Sequence, residues 1–131
     1  MVNELKIANK LIGRNHPPFI IAEMSGNHNQ SLERALEIVV AAAKTGAHAL
    51  KIQTYTPDTM TLDLDEREFH ISDSNSLWAG NSLYKLYGAA YTPWEWHKPI
   101  FERARELGII AFSTPFDDTA VDLLESLEVP C

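Results

Sequence analysis

The sequence predicts an α/β fold built on parallel strands, and three observations support this. Apolar stretches typical of strands alternate with amphipathic stretches typical of helices, three times in succession. Each strand reaches the next through a helix, which favours parallel strands joined by right-handed crossovers. Polar residues end or directly follow each strand. Because ligands bind at the carboxyl ends of parallel strands, these polar residues are the first candidates for a site.

The amino-terminal region predicts a hairpin followed by the first parallel strand. Apolar residues alternate loosely over residues 5–12 around Asn9-Lys10, which indicates a small hairpin. Pro17-Pro18 interrupts the chain, and residues 19–22 form a short apolar run typical of a buried strand.

Caps at both ends define the first helix. Asn29 or Ser31 is the expected N-cap, and Gly46 suits the left-handed position after the last turn. The apolar residues between them follow steps of three and one, and are Leu32, Ala35, Leu36, Val39, Val40 and Ala43.

The second strand, residues 49–54, alternates between two faces. Leu50, Ile52 and Thr54 share one face, and Lys51 and Gln53 share the other.

Residues 56–91 follow no clean period, and a connection this long is usually functional or disordered. Its aromatic residues argue against disorder. Two interpretations stay open: a lid that excludes water from a site, or a self-packed aromatic cluster.

Thr92-Pro93-Trp94-Glu95 predicts a capping box with proline at the first helical position. This helix is expected to end at Gly108, with a kink or broken first turn near residues 95–98 because of Pro99.

The third strand is expected over residues 109–114, followed by a last helix. Asp117 or Asp118 caps that helix, and its inward residues are Ala120, Val121, Leu124 and Leu127.

The net charge, the cysteine content and the apolar runs indicate which classes of partner and which compartment to expect. The net charge is −7, which disfavours nucleic acid or an anionic membrane as the main partner. The lone cysteine, Cys131, excludes a disulfide within the chain and favours the cytoplasm. Neither a membrane-length apolar run nor a signal peptide is evident.

Val129 resembles the approach to another strand, so we expect the chain to be part of a longer protein. Three strands form either a small open sheet or the start of a barrel, which takes about 250 residues.

Five stretches together resemble the amino-terminal part of the sialic acid synthase family. They are FIIAEMSGNHNQSLERALEIV, GAHALKIQTYTPDTMTLD, SLWAGNSLYKLY, AYTPWEWH and GIIAFSTPFD. The third and fourth are closest to the branch that makes pseudaminic acid. The resemblance implies the first three β/α units of a (β/α)8 TIM barrel, followed beyond this chain by an antifreeze-like domain.

The resemblance also implies an activity. Phosphoenolpyruvate would condense with a 2,4-diacetamido-2,4,6-trideoxy hexose to give pseudaminic acid and phosphate, in a cytoplasmic homodimer. A divalent metal, typically Mn2+, would be held by two histidines beyond residue 131. The alternatives are N-acetylneuraminate or legionaminate synthesis with another amino sugar, a non-catalytic anion-binding α/β module, and another barrel enzyme such as an aldolase.

Lys51 and Gln53 are the first candidates for substrate binding. A lysine within an apolar strand needs an anion or solvent, and Lys51 resembles the family lysine that contacts phosphoenolpyruvate. Gln53 resembles the glutamine that binds the amino sugar. The alternative for Lys51 is a lysine that reaches solvent or pairs with Glu23. The alternative for Gln53 is a buried amide that hydrogen-bonds to the backbone of a loop.

Glu23 is the catalytic candidate, because the family glutamate at this place lies near the reacting carbons. It would handle a proton or orient sugar hydroxyls, and the alternative is a structural ion pair with Lys51. Asn27 and His28 are further substrate-binding candidates that would otherwise tie the loop, and Gly26 would allow a positive φ there.

Ser113 and Thr114 end the third strand, and their hydroxyls are suited to donate to phosphate or carboxylate oxygens. Thr114 resembles the family threonine that does so. Helix capping ahead of Asp117 is the alternative, and strand parity alone leaves open which of the two faces the site.

Overall fold

A computed structural model of the protein describes residues 4–131. The chain forms an antiparallel hairpin and then a three-stranded parallel sheet in the order β3-β4-β5. The strands are β1 Glu4–Ile7, β2 Lys10–Gly13, β3 Ile21–Glu23, β4 Ala49–Thr54 and β5 Ile110–Pro115. The helices are α1 Leu32–Lys44, α2 Pro57–Met60, α3 Leu83–Ala90, α4 His97–Glu106 and α5 Asp118–Ser126, with 3-10 turns at Arg67–Phe69 and Trp94–Trp96. This arrangement confirms the predicted α/β fold class.

The predicted hairpin is present, with its turn one residue earlier than expected. Ile7 pairs with Lys10, so Ala8 and Asn9 form the turn. These two residues and residues 108–111 line one cavity of about 350 Å³. The hairpin therefore lies at the amino-terminal end of β5, away from the end where the polar residues gather.

The two faces of β4 differ as the alternation predicted. Leu50, Ile52 and Thr54 are fully buried, whereas Lys51 and Gln53 are half-buried. The buried face packs against helices in one core, whose members include Met24, Ala35, Val39, Ala42, Leu50, Ile52, Ile100, Phe101, Ala104 and Leu124.

The first parallel strand is less buried than predicted. Ile20 and Ile21 are 53% and 42% exposed. The physical reason is that β3 is an edge strand, which pairs with β4 on one side only, and it is three residues long.

The helix caps are mostly as predicted. Ser31 caps α1 by accepting from the Arg34 backbone N–H at 3.2 Å, and Gly46 has a φ of +80°. Asp117 caps α5 by accepting from the Thr119 N–H at 3.0 Å. Val121 was wrongly assigned to the inward face. It is 47% exposed, because it lies about 100° around the helix from buried Ala120.

The capping box predicted at Thr92 is wrong, and the broken first turn is confirmed. A 3-10 turn, Trp94–Trp96, precedes α4 and has no side-chain cap. The Thr92 hydroxyl is buried and contacts His28 instead. Helix α4 ends before Gly108, which has a φ of +73°.

The long connection after β4 is ordered. Helices α2 and α3 pack together, and the Tyr84 hydroxyl donates to the Asp58 carboxylate at 3.0 Å. None of the helices within residues 4–131 has the length and apolar character needed to cross a membrane.

Candidate functional site

Three charged or polar side chains from three different strands meet at the carboxyl end of the sheet. Glu23 pairs with Lys51 in the register between β3 and β4, and the Lys51 Nζ lies 2.9 Å from the Glu23 Oε2. The Lys51 ammonium also donates to the Thr114 Oγ1 on β5 at 3.3 Å. The side chains of Glu23 and Lys51 are 38% and 31% exposed, so both remain open to a ligand.

Gln53 lies on the same face as this cluster, since it is the register partner of Thr114. Its side chain is half-buried and makes no hydrogen bond to another residue of the described chain. The amide therefore keeps its donors and its acceptor for a ligand.

Ser113 lies on the opposite face of the sheet from Thr114. It is the register partner of Ile52, and its hydroxyl contacts the Thr54 hydroxyl in the buried layer beside α4. The sequence left open which of Ser113 and Thr114 faces the site, and in the structure it is Thr114. Ser113, which we predicted as a substrate-binding residue, does not line the cluster, because successive side chains of a strand point to opposite faces.

Thr54, Ser113 and His97 form a buried polar network that the sequence did not reveal. The His97 Nδ1–H donates to the Pro93 carbonyl at 3.3 Å, so its Nε2 accepts from the Thr54 hydroxyl at 2.7 Å. The Thr54 oxygen in turn accepts from Ser113. Burial lowers the pKa of His97, with the Pro93 carbonyl opposing that shift. The only sequence signal was Thr54 on the apolar face of β4.

The loop after β3 presents Glu23 to the rim. The Met24 N–H donates to the Lys51 carbonyl, which continues the sheet by one residue, and the Asn27 side-chain amide donates to the Met24 carbonyl at 2.8 Å. Substrate binding by Asn27 stays a prediction. Its side-chain hydrogen bond to Met24 lies within the loop.

His28 is fully buried, with both ring nitrogens engaged. Its Nδ1 accepts from the Gln30 N–H at 3.2 Å, so its Nε2–H donates to the Thr92 hydroxyl at 3.1 Å. Trp96 packs edge-on against the ring at 5.5 Å between centroids. Burial lowers the pKa of His28, in keeping with a neutral ring. Contact of His28 with substrate likewise stays a prediction. The contacts that the structure gives its ring hold the loop in place.

Two further features fix the loop. The Gln30 side chain donates to the carbonyls of Ala89 and Tyr91 at 3.1 and 2.7 Å. The positive φ that glycine would allow at Gly26 is not used, and the positive φ values of this loop belong to Ser25, Asn29 and Gln30, at +48°, +50° and +55°. A Cβ at Gly26 would lie 2.8 Å from the Ala90 carbonyl oxygen, so glycine is required there for close packing.

Aromatic side chains pack together beside the cluster. Tyr55 makes edge-to-face contacts with Tyr87 and Phe116, and the Trp94 Nε1–H donates to the Tyr55 carbonyl at 3.2 Å. Burial, with Tyr87 adding to it, raises the pKa of Tyr55. Within residues 56–91 these contacts favour the self-packed interpretation for Tyr87 alone, and the lid stays a prediction.

The part of the chain that the structure describes gathers no three histidine, cysteine, aspartate or glutamate side chains in a way that would hold a metal. The Mn2+ that the resemblance implies, with two histidines beyond residue 131 as its ligands, stays a prediction.

Comparison with known proteins agrees with the resemblance found in the sequence. The chain is 51% identical over 110 residues to the pseudaminic acid synthase of Campylobacter jejuni and 49% identical over 114 residues to that of Helicobacter pylori. These matches cover 84% and 87% of this chain but 32% and 33% of the relatives, so the chain spans about a third of their length.

A solved structure gives the same result for the fold. The N-acetylneuraminic acid synthetase of Leptospira borgpetersenii is 28% identical, with a TM-score of 0.78 over 96% of this chain and 39% of that one. The hairpin and three β/α units are thus those of a partial TIM barrel, as predicted. Residues 38–131 match the NeuB family, and the chain belongs to that family.

Proposed function

We propose that the protein condenses phosphoenolpyruvate with a 2,4-diacetamido-2,4,6-trideoxy hexose, giving pseudaminic acid and phosphate. The observation that carries the proposal is the convergence of Glu23, Lys51 and Thr114 at one rim of parallel strands. The identity of about half of the aligned residues to relatives named pseudaminic acid synthase supports the choice of sugar.

The geometry suits an anionic substrate. An ammonium has three N–H donors, and Lys51 uses two of them on Glu23 and Thr114, which leaves one for a phosphate or carboxylate oxygen. Because Thr114 accepts from Lys51, its own O–H is free to donate to the same anion. Gln53 lies further along the same face of β4. We assign it to the neutral acetamido and hydroxyl groups of the sugar.

The proposed reaction starts from both substrates held in one pose, which supplies much of the acceleration. C3 of the enol attacks the aldehyde carbon of the open-chain sugar, and the aldehyde oxygen takes up a proton to become a hydroxyl. Water adds at C2 and gives up a proton, and phosphate then leaves by C–O cleavage as the C2 hydroxyl loses its proton to form the keto group. Glu23 has two proposed roles: to take up a proton or to orient the sugar hydroxyls. We further propose that the protein binds Mn2+ through ligands outside these residues and acts as a homodimer in the cytoplasm.

The test is phosphate release by the complete polypeptide encoded by the gene, supplied with phosphoenolpyruvate, Mn2+ and a panel of amino sugars. Release with the diacetamido sugar, and little with N-acetylmannosamine, is the expected result. Equal rates with N-acetylmannosamine would make the protein an N-acetylneuraminate synthase. Binding of phosphoenolpyruvate without release for any sugar would make it an anion-binding module.

Substitutions at Lys51 and Glu23 test the roles proposed for these two residues. Lys51→Ala should lower kcat/KM by about 100-fold or more, the usual loss when one donor to a developing charge is removed. Lys98→Ala is the matched control, since Lys98 is 72% exposed on α4 and should leave the rate unchanged. Glu23→Gln separates the two proposed roles, because an amide still hydrogen-bonds but takes up no proton. Loss of a base costs about 100-fold or more.

A further inference from the structure

Ser25 is the residue that faces the Glu23 carboxylate from the loop side. Its backbone N–H and its hydroxyl lie 3.3 and 3.4 Å from the Glu23 Oε1. The other carboxylate oxygen, Oε2, contacts the Lys51 Nζ at 2.9 Å. The two oxygens of Glu23 thus have separate partners, one on the loop and one on β4.

Ser25 occupies a backbone conformation that serine seldom adopts. Its φ is +48°, in the left-handed region where glycine is favoured. The neighbouring glycine does not relieve this, because Gly26 is used for its close approach to Ala90. A serine at the strained position contributes a hydroxyl that a glycine there would lack.

The surroundings hold the loop in this conformation. Buried His28 donates to Thr92, and Gln30 donates to two carbonyls at the carboxyl end of α3, those of Ala89 and Tyr91. Strained residues persist when neighbouring contacts fix them, and they concentrate at functional sites.

We propose that Ser25 is a positioning residue that holds the Glu23 carboxylate in place when a substrate anion engages Lys51. This inference rests on the proposed function. A substrate anion on the third N–H of Lys51 shares the positive charge of the ammonium with Glu23, so anion binding weakens the contact at Oε2. The contacts of Ser25 with Oε1 do not involve Lys51 and are retained. The carboxylate then stays directed at the rim instead of turning into solvent.

The test compares Ser25→Gly with Asn29→Gly in the complete polypeptide, by phosphate release and by thermal unfolding. Asn29 has a φ of +50° in the same loop, and its side chain makes no hydrogen bond to the other described residues. Both glycines suit the backbone, so neither variant should lower the Tm. Ser25→Gly should lower kcat about tenfold with the KM for phosphoenolpyruvate unchanged, and Asn29→Gly should leave kcat unchanged.

Ser25→Thr provides the rescue. It restores a hydroxyl at the cost of a β-branched residue at positive φ, so its Tm should fall while its kcat exceeds that of Ser25→Gly. A kcat for Ser25→Gly within twofold of wild type, or no recovery in a folded Ser25→Thr, overturns the positioning role alone. Absence of phosphate release from the wild-type protein overturns the proposed function and this inference with it.

Discussion

Replacing Thr54 with valine tests the buried network that joins β4, β5 and α4. Valine has nearly the same shape as threonine, so the change removes one hydroxyl without leaving a cavity. That hydroxyl donates to the His97 Nε2 and accepts from Ser113. Both partners are buried, at 0% and 5% exposure. In the variant one acceptor and one donor lose their hydrogen bonds in a place that water does not reach.

The magnitude follows from those two groups. A buried polar group left without a partner costs about 1–3 kcal/mol, and the Ser113 hydroxyl keeps some freedom to rotate. We therefore expect the free energy of unfolding to fall by about 2–4 kcal/mol. Thr54→Ser, which keeps the hydroxyl and removes a methyl group, should cost only about 1 kcal/mol.

The assay is urea denaturation followed by tryptophan fluorescence, with a double-mutant cycle. Adding Ser113→Ala to Thr54→Val removes the orphaned donor, so the double variant should be less destabilised than the sum of the two single variants by about 1 kcal/mol. A loss below about 0.5 kcal/mol for Thr54→Val, or strictly additive losses, would refute the network as described.

Other consequences of the structure can be measured in the same preparation. Gly26→Ala should lower the free energy of unfolding by about 1–3 kcal/mol, because its Cβ would meet the Ala90 carbonyl oxygen at 2.8 Å. An unchanged Tm would contradict that close packing. Ser31→Ala should cost about 1 kcal/mol in urea denaturation through the lost N-cap of α1, and a neutral result would contradict it. Burial lowers the pKa of His28 and His97 below the ordinary 6.5, so the unfolded chain takes up protons first as the pH falls. Stability should therefore decrease from about pH 7 towards pH 5 in urea titrations, whereas a flat profile would argue against neutral buried histidines.

Much of the candidate site was predictable because strand alternation is a local rule. Lys51 and Gln53 interrupt an apolar strand at every second position, so their shared face follows from the pleat wherever the strand packs. The polar residues after each strand placed Glu23 and Thr114 at the same edge, and the structure brings both to Lys51.

Two of the failed expectations depend on a contact between distant parts of the chain. Thr92 reads locally as an N-cap, yet its hydroxyl contacts His28, 64 residues earlier. Gly26 reads as a turn glycine, yet its requirement is the carbonyl of Ala90. The error at Val121 has a local reason instead, since this residue lies about 100° around α5 from buried Ala120.

By itself the sequence determined the alternation of the three parallel strands with α1, α4 and α5, the caps of α1 and α5, and the face of β4 that carries Lys51, because these depend on backbone geometry over a few residues. Only the tertiary structure decided that Thr114 rather than Ser113 reaches Lys51, and that Ser25 rather than Gly26 adopts the positive φ beside Glu23. Those choices depend on which strands become neighbours and how closely a loop packs against α3. Such contacts form between segments far apart in the chain, and no local pattern encodes them.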